Sequence, residues 1–200
     1  MGNREKLRAA ARECLLTIGY ERTTVRHLVA ASGANQASIN YHFGSKEQLL
    51  TEVLQELNRE WGDVLFAALA AGPAEPGGTA QPAEAGGESR PADHEALWGR
   101  VIDSIRENRA LWFVNFESLS SAYVDEEIRA MIADGQRVAR QALARAFDGP
   151  AAPDDPAAAE AAEAAGARYY ATLVGVAAQW LIDPDAAPTA RQIAAAAPAR

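Results

Sequence analysis

The chain has 200 residues, 48% of them apolar, and 27 acidic against 19 basic side chains give a formal net charge of −8. That length buries a core as one domain or two small ones, and the composition excludes a disordered or fibrous chain. The acidic balance argues against a general polyanion binder. One cysteine, Cys14, excludes an intrachain disulfide and a cysteine-based zinc site. The longest uncharged apolar stretch, 169–182, holds 14 residues and includes Gln179. It falls short of the roughly 18 to 20 residues that span a bilayer. Met1 to Lys6 lacks the apolar core of a signal peptide.

Abundant alanine and few alternating apolar runs predict an all-α chain. Leu7, Ala10, Ala11, Cys14, Leu15 and Ile18 fall on one stripe of a helix over 4–18, and Gly19 lies where a left-handed cap is expected. Thr23 or Thr24 can cap a short helix to about residue 31, with Val25, Leu28 and Val29 as its apolar face. Ser32-Gly33 breaks it, and Asn35 is the N-cap of a second short helix that ends at Phe43-Gly44. Ser45 to Gln48 forms a capping box. A long helix follows, with Leu49, Leu50, Val53, Leu54, Leu57, Trp61, Val64, Leu65 and Leu69 as its stripe.

Nine of the twenty residues from Gly72 to Pro91 are Gly or Pro, which predicts a flexible connector. The helical pattern resumes at Asp93, restarts after Asn108-Arg109 and again at Asp125, and breaks over 148–156. A long helix over 157–182 closes it, followed by a short segment opened by the capping-box pattern Thr189 to Gln192. The last long helix is apolar almost all round. Gly175, Ala177 and Ala178 are small enough for close helix approach, and a subunit interface is expected at Leu173, Val176, Ala177, Trp180 and Leu181, with the central helix of a monomeric bundle as the alternative.

Two short helices joined by a tight Gly turn, within about 24–43, match a helix-turn-helix, whose second helix enters the DNA major groove. The second helix is crowded with suitable groups. Asn35, Gln36 and Asn40 can pair with adenine edges, and Ser38, Tyr41 and His42 can bond phosphate. Ala37 lets the backbone approach the bases. Thr24 and Lys46 stand at positive helix termini.

The ordered set Gly19-Tyr20, Thr23-Thr24-Val25, Ala30-Ala31-Ser32-Gly33 and Ser38 to Leu50 (SINYHFGSKEQLL) resembles TetR/AcrR-type transcriptional regulators over roughly residues 4–60. The resemblance implies an all-helical homodimer with an N-terminal three-helix DNA-binding head, a linking helix and a C-terminal ligand-binding and dimerisation body. The expected division is a head over 1–47, a linking helix over 48–71, a body over 93–200 and, in place of the short turn usual in such relatives, the connector over 72–92. Carried over by position, the expected DNA contacts are Thr24, Val25, Arg26, Asn35, Gln36, Ala37, Ser38, Asn40, Tyr41, His42 and Lys46. Many relatives have Gly where this chain has Ala37 and Tyr where it has Asn40, so no operator sequence transfers.

In the body, Trp98, Trp112, Asn115, Phe116, Tyr123 and Tyr169 are candidate walls of a small-molecule pocket, with plain core packing as the alternative. Asn115 shares a face with Trp112 and Phe116, where it bonds either a ligand or a neighbouring helix. The expected function is a cytoplasmic repressor that leaves a palindromic operator in double-stranded DNA when an unidentified small-molecule effector binds. A constitutive binder or activator without ligand control is the alternative. No membrane, cofactor, metal or catalytic residue is expected. The charge supports this division: residues 1–50 carry +3 and residues 51–200 carry −11.

Overall fold

A computed structural model describes residues 2–70 and 91–196. The described residues form helices without strands, in the order α1 (Asn3–Thr17), α2 (Val25–Ser32), α3 (Gln36–Phe43), α4 (Lys46–Ala70), α5 (Pro91–Glu107), α6 (Arg109–Val124), α7 (Glu126–Asp148), α8 (Pro156–Ile182) and α9 (Ala190–Ala195). The all-α fold class is as expected from the sequence. The connector expected over 72–92 lies outside the described residues, apart from its last two positions, which open α5. Among the described residues no helix is long and apolar enough to cross a membrane. None of their His, Cys, Asp and Glu side chains form a group of three that would hold a metal ion.

The chain divides into two compact units. The first comprises residues 1–62 with 108–135, and the second 63–107 with 136–200. α6 and the start of α7 therefore belong with the N-terminal helices, a grouping that the order of elements along the chain does not announce.

In the first unit, Leu7, Ala10, Ala11, Cys14 and Leu15 of α1 are buried together with Leu28, Ile39, Leu49, Leu50, Val53, Leu54 and Leu57. Burial also pushes the Cys14 thiol up from its ordinary pKa, helped by the charge of Glu13, so the lone cysteine is packing material. Outside this core, α1 and α4 are joined by a ladder of ion pairs. Arg4 pairs with Glu52 (2.8 Å), Arg8 with Glu56, and Arg12 with Glu60 (2.7 Å), each pair 48 residues apart. Both sets repeat every four residues, so each occupies one face of its helix, and the constant offset fixes the axial register of α4 on α1. A bridge of Arg8 to Glu52 (3.5 Å) links two rungs. Single exposed pairs of this kind contribute about 0 to 1 kcal/mol, so the ladder sets register more than stability.

α6 is tied to the same unit by polar contacts. Asn115 donates from Nδ2 to Asn58 Oδ1 (2.8 Å), and Asn58 donates to Ser118 Oγ (3.3 Å). The Glu117 carboxylate lies where a side chain on Gly19 would be, and Gly19 has φ +90°. Gly19 is thus required by the left-handed turn after α1, and its missing side chain leaves room for the Glu117 carboxylate.

In the second unit, Trp98, Phe147 and Tyr169 pack with His94. Phe147 stacks on Tyr169 at 4.5 Å between centroids, and Trp98 lies 5.0 Å from Phe147. Tyr169 donates to Asp148 Oδ1 (3.0 Å), and Trp180 donates from Nε1 to the Pro188 carbonyl (3.1 Å), which anchors the turn into α9.

The close helix approach falls elsewhere than the sequence suggests. Gly175 faces open space, whereas a Cβ on Gly166 would strike the backbone carbonyl of Arg140 on α7. Gly166→Ala should therefore destabilise the protein by about 1 to 2 kcal/mol: overpacking against rigid backbone outweighs the better helix propensity of alanine. Gly175→Ala, with no such neighbour, should stabilise by up to about 1 kcal/mol. Urea unfolding of both variants checks the difference; equal effects would contradict the placement of the contact.

Candidate nucleic-acid interface

The turn between α2 and α3 is built from local chemistry. Thr24 caps α2: its Oγ1 accepts from the His27 backbone N–H (3.3 Å), while its own N–H donates to His27 Nδ1 (3.3 Å). A histidine thus fills the place of the Glu or Gln of a capping box. Gly33 ends α2 in the left-handed region at φ +65°, turning the chain for α3. Asn35 then caps α3, its Oδ1 accepting from the Ser38 N–H (2.9 Å) and the Ser38 hydroxyl (3.0 Å).

α3 is held by Ile39 and Phe43, which point into the core, and by Ser38. Asn35, Gln36, Ala37, Asn40 and Tyr41 are exposed, Tyr41 at 85%. These five leave a polar face open to solvent. His42 is half-buried, edge-on to Tyr41 at 4.9 Å. Thr24 and Arg26 on α2 are exposed and Val25 is half-buried.

Two of the expected contact residues are committed within the protein. Ser38 is buried at 9%: its hydroxyl donates to Asn35 and accepts from Asn3 Nδ2 (3.5 Å), so it is turned inward. Lys46 donates from Nζ to the Thr23 carbonyl (3.2 Å) and pairs with Glu47 (3.3 Å). It braces the start of α2 from the start of α4. Hydrogen bonding to its own backbone, with Lys46 assisting, holds the Glu47 carboxyl below the usual carboxylate range. Thr23 itself is fully buried and donates to the Gly19 carbonyl (2.6 Å). Tyr20 and Thr51 share a hydrogen bond (3.2 Å). Burial raises the Tyr20 phenol pKa, against a smaller opposing effect of Thr51.

The ladder revises the electrostatics. Three of the seven basic residues in the first fifty, Arg4, Arg8 and Arg12, face carboxylates of α4. The sequence count of +3 therefore overstates the positive charge available to an anionic partner. The signal was present as two sets with four-residue spacing, Arg4-Arg8-Arg12 and Glu52-Glu56-Glu60; their partnership emerges only once the helices are packed.

The candidate pocket residues fall in both units. Trp112, Asn115, Phe116 and Tyr123 belong to the first, Trp98 and Tyr169 to the second. Trp112 and Trp98 are buried, whereas Tyr123 is 86% exposed. Asn115 bonds a neighbouring helix, through Asn58. The expected interface residues Leu173, Val176, Ala177 and Leu181 are buried by the chain's own packing, and Trp180 is half-buried and bonded to Pro188. The face of α8 left exposed carries Ala171, Gly175, Gln179 and Ile182 instead.

A family model for bacterial regulatory proteins, tetR family, matches residues 7–53, the segment that builds this head. Over these residues the chain is similar to the TetR family. The HTH-type transcriptional repressor AcnR of Corynebacterium efficiens is 38% identical over 56 residues, 28% of this chain and 30% of that protein. AcnR of Corynebacterium glutamicum is 39% identical over 54 residues, 27% of this chain and 29% of that protein. The chain thus matches less than a third of the length of these relatives.

Solved structures share this helical fold. The multidrug binding protein EbrR, complexed with imidazole, is 18% identical at a TM-score of 0.64, covering 98% of this chain and 94% of that one. A transcriptional regulator from Rhodococcus sp. Rha1 is 20% identical at a TM-score of 0.64, covering 96% and 91%. Salmonella enterica GusR is 21% identical at a TM-score of 0.60, covering 96% and 90%.

The cap of α3 can be tested apart from any role in binding. Asn35→Ala should lower the unfolding free energy by about 1 kcal/mol, and Asn35→Asp, which keeps the accepting oxygen, should retain most of it. Chemical denaturation of the two variants checks this; equal losses would show that the cap is not what Asn35 contributes.

Proposed function

We propose that the chain is a homodimeric transcriptional repressor that binds a palindromic operator in double-stranded DNA and leaves it when a small molecule binds. The observation that carries the reading is the exposed polar face of α3, set at a Gly33 turn behind a capped α2. A helix of this kind reads base edges in the major groove, while the preceding helix and its N-terminus meet phosphate. Gln36 and Asn40 are placed to read bases, with Ala37 allowing close approach. Tyr41, Thr24 and Arg26 meet the backbone, Val25 and His42 pack beside them, and Ser38, Asn35 and Lys46 hold the geometry. Two heads in a dimer grip successive major grooves about 34 Å apart.

The helical body would carry both the second copy and the effector. The open face of α8, with Ala171, Gly175, Gln179 and Ile182, suits a second copy better than the buried Leu173, Val176, Ala177 and Leu181. An effector that favours one head spacing over another shifts operator affinity by the difference in its own affinity for the two spacings. A protein of this type works in the cytoplasm, where its operator is.

Selection of bound fragments from genomic DNA, followed by titration on the recovered site, tests the reading. The dimer should hold a palindromic site, and Tyr41→Ala should weaken it at unchanged thermal stability, because that ring is exposed. Failure to enrich any palindromic site would overturn the proposal.

The salt dependence is sharper still. Arg26→Gln should reduce the slope of log affinity against log salt by about 0.9 per head. Arg8→Gln should leave it unchanged, since Arg8 is paired with Glu56. Equal slopes for both variants would show that Arg26 does not meet phosphate.

A further inference from the structure

The α4–α6 packing within the first unit holds an electrostatic anomaly. Trp61 of α4 and Trp112 of α6 are 6% and 1% exposed, and their rings meet edge to face, centroids 5.3 Å apart at 86°. Among the described residues, the indole N–H groups of both are buried and have no hydrogen-bond acceptor. A buried donor without a partner forfeits its hydration with nothing in return, and such groups are rare in folded proteins. The ring contact removes the cost for at most one of the two. In an edge-to-face pair a single ring supplies the edge, so only its N–H can point at the π face of the other.

The surroundings define what would answer these donors. Asn58 lies one turn before Trp61 on α4, and Asn115 and Ser118 follow Trp112 on α6; all three are neutral and already bond one another. A charged ligand placed here would meet these neutral groups, and burying an unpaired charge is far more costly than burying a dipole. Aromatic edges and faces favour a flat, largely apolar molecule.

Building on the proposed ligand-released repressor, we infer that the effector site lies at Trp61 and Trp112 and takes a neutral, planar, apolar molecule with an acceptor oxygen such as a carbonyl. The two rings part to admit it. Its oxygen accepts from an indole N–H at about 2.9 Å, in the plane of that ring. Trp61, which the periodicity of α4 marks only as core, becomes a ligand contact, and Phe116 belongs to the same apolar wall.

Four matched probes test this: 2-acetylnaphthalene, which carries the acceptor; 2-isopropylnaphthalene, its isostere without one; 2-naphthoate; and 2-naphthylmethylammonium. Binding is followed by tryptophan fluorescence in the full-length protein and in Trp61→Phe and Trp112→Phe, which keep an aromatic ring and lose the N–H. The acetyl probe should be favoured over its isostere in the wild type, and over both charged probes. That preference should fall about five- to tenfold in at least one variant, the scale of one hydrogen bond.

Should a variant fail to fold, the wild type decides: of its four indole N–H resonances, one or both of those from Trp61 and Trp112 should move downfield with the acetyl probe and not with the isostere. Four outcomes overturn the inference: no probe binding, equal binding of acetyl and isopropyl probes, an unchanged preference in both Phe variants, or unmoved indole resonances. Acetyl-probe binding of this kind without release of operator DNA would leave the site standing and overturn ligand release as the function. Release of operator by another compound, with the acetyl probe unbound, would do the reverse.

Discussion

An eight-residue helix that turns its polar face to water does not persist alone, because nucleation costs more than so few hydrogen bonds return. α3 is such a helix, and the head is arranged around holding it. Ile39 and Phe43 anchor it beside Leu7, Leu28, Leu49 and Leu50, all of them buried. Asn35 caps its start, Gly33 turns the chain into it and Lys46 braces the preceding helix. The exposed face can then be polar, since stability is supplied from its other side. This explains why Ser38 is given up to the interior: one hydroxyl bonded to Asn35 fixes the pose in which Gln36, Asn40 and Tyr41 are presented.

The same logic extends along α4. Its first sixteen or so residues are keyed to α1 by leucines beneath and by the Arg/Glu ladder outside. Hydrophobic packing tolerates small slides, whereas a ladder of charges with four-residue spacing has one register at which every rung closes. α6 adds Asn115 to Asn58 and sets Glu117 against Gly19. The N-terminal helices are therefore bound to helices far downstream in the chain, within one compact unit.

The electrostatic balance follows from this arrangement. An acidic chain with a weakly basic head would bind DNA loosely if its cations were scattered, and here three arginines are withdrawn into the ladder. Under the proposed function, operator affinity would rest on hydrogen bonds and shape at α3 more than on counterion release, which favours selectivity over strength.

Much of this is legible in the amino-acid sequence alone. The helices, the Thr24, Asn35 and Thr189 caps and the helix-turn-helix are written locally, because capping and 3.6-residue periodicity act over a few residues. Periodicity states that a face is covered, and is silent on what covers it. Only the tertiary structure decided that α6 joins the first unit, that Leu173 and Val176 meet their own chain, that Gly166 rather than Gly175 takes the close approach, and that Tyr123 stands in solvent. The meaning of the net charge changed in the same way. Composition placed the acidity in the body and a surplus of +3 in the first fifty residues. Packing determined which of those cations remain for a partner, because a charge is available only where the fold has not already set an opposite one beside it.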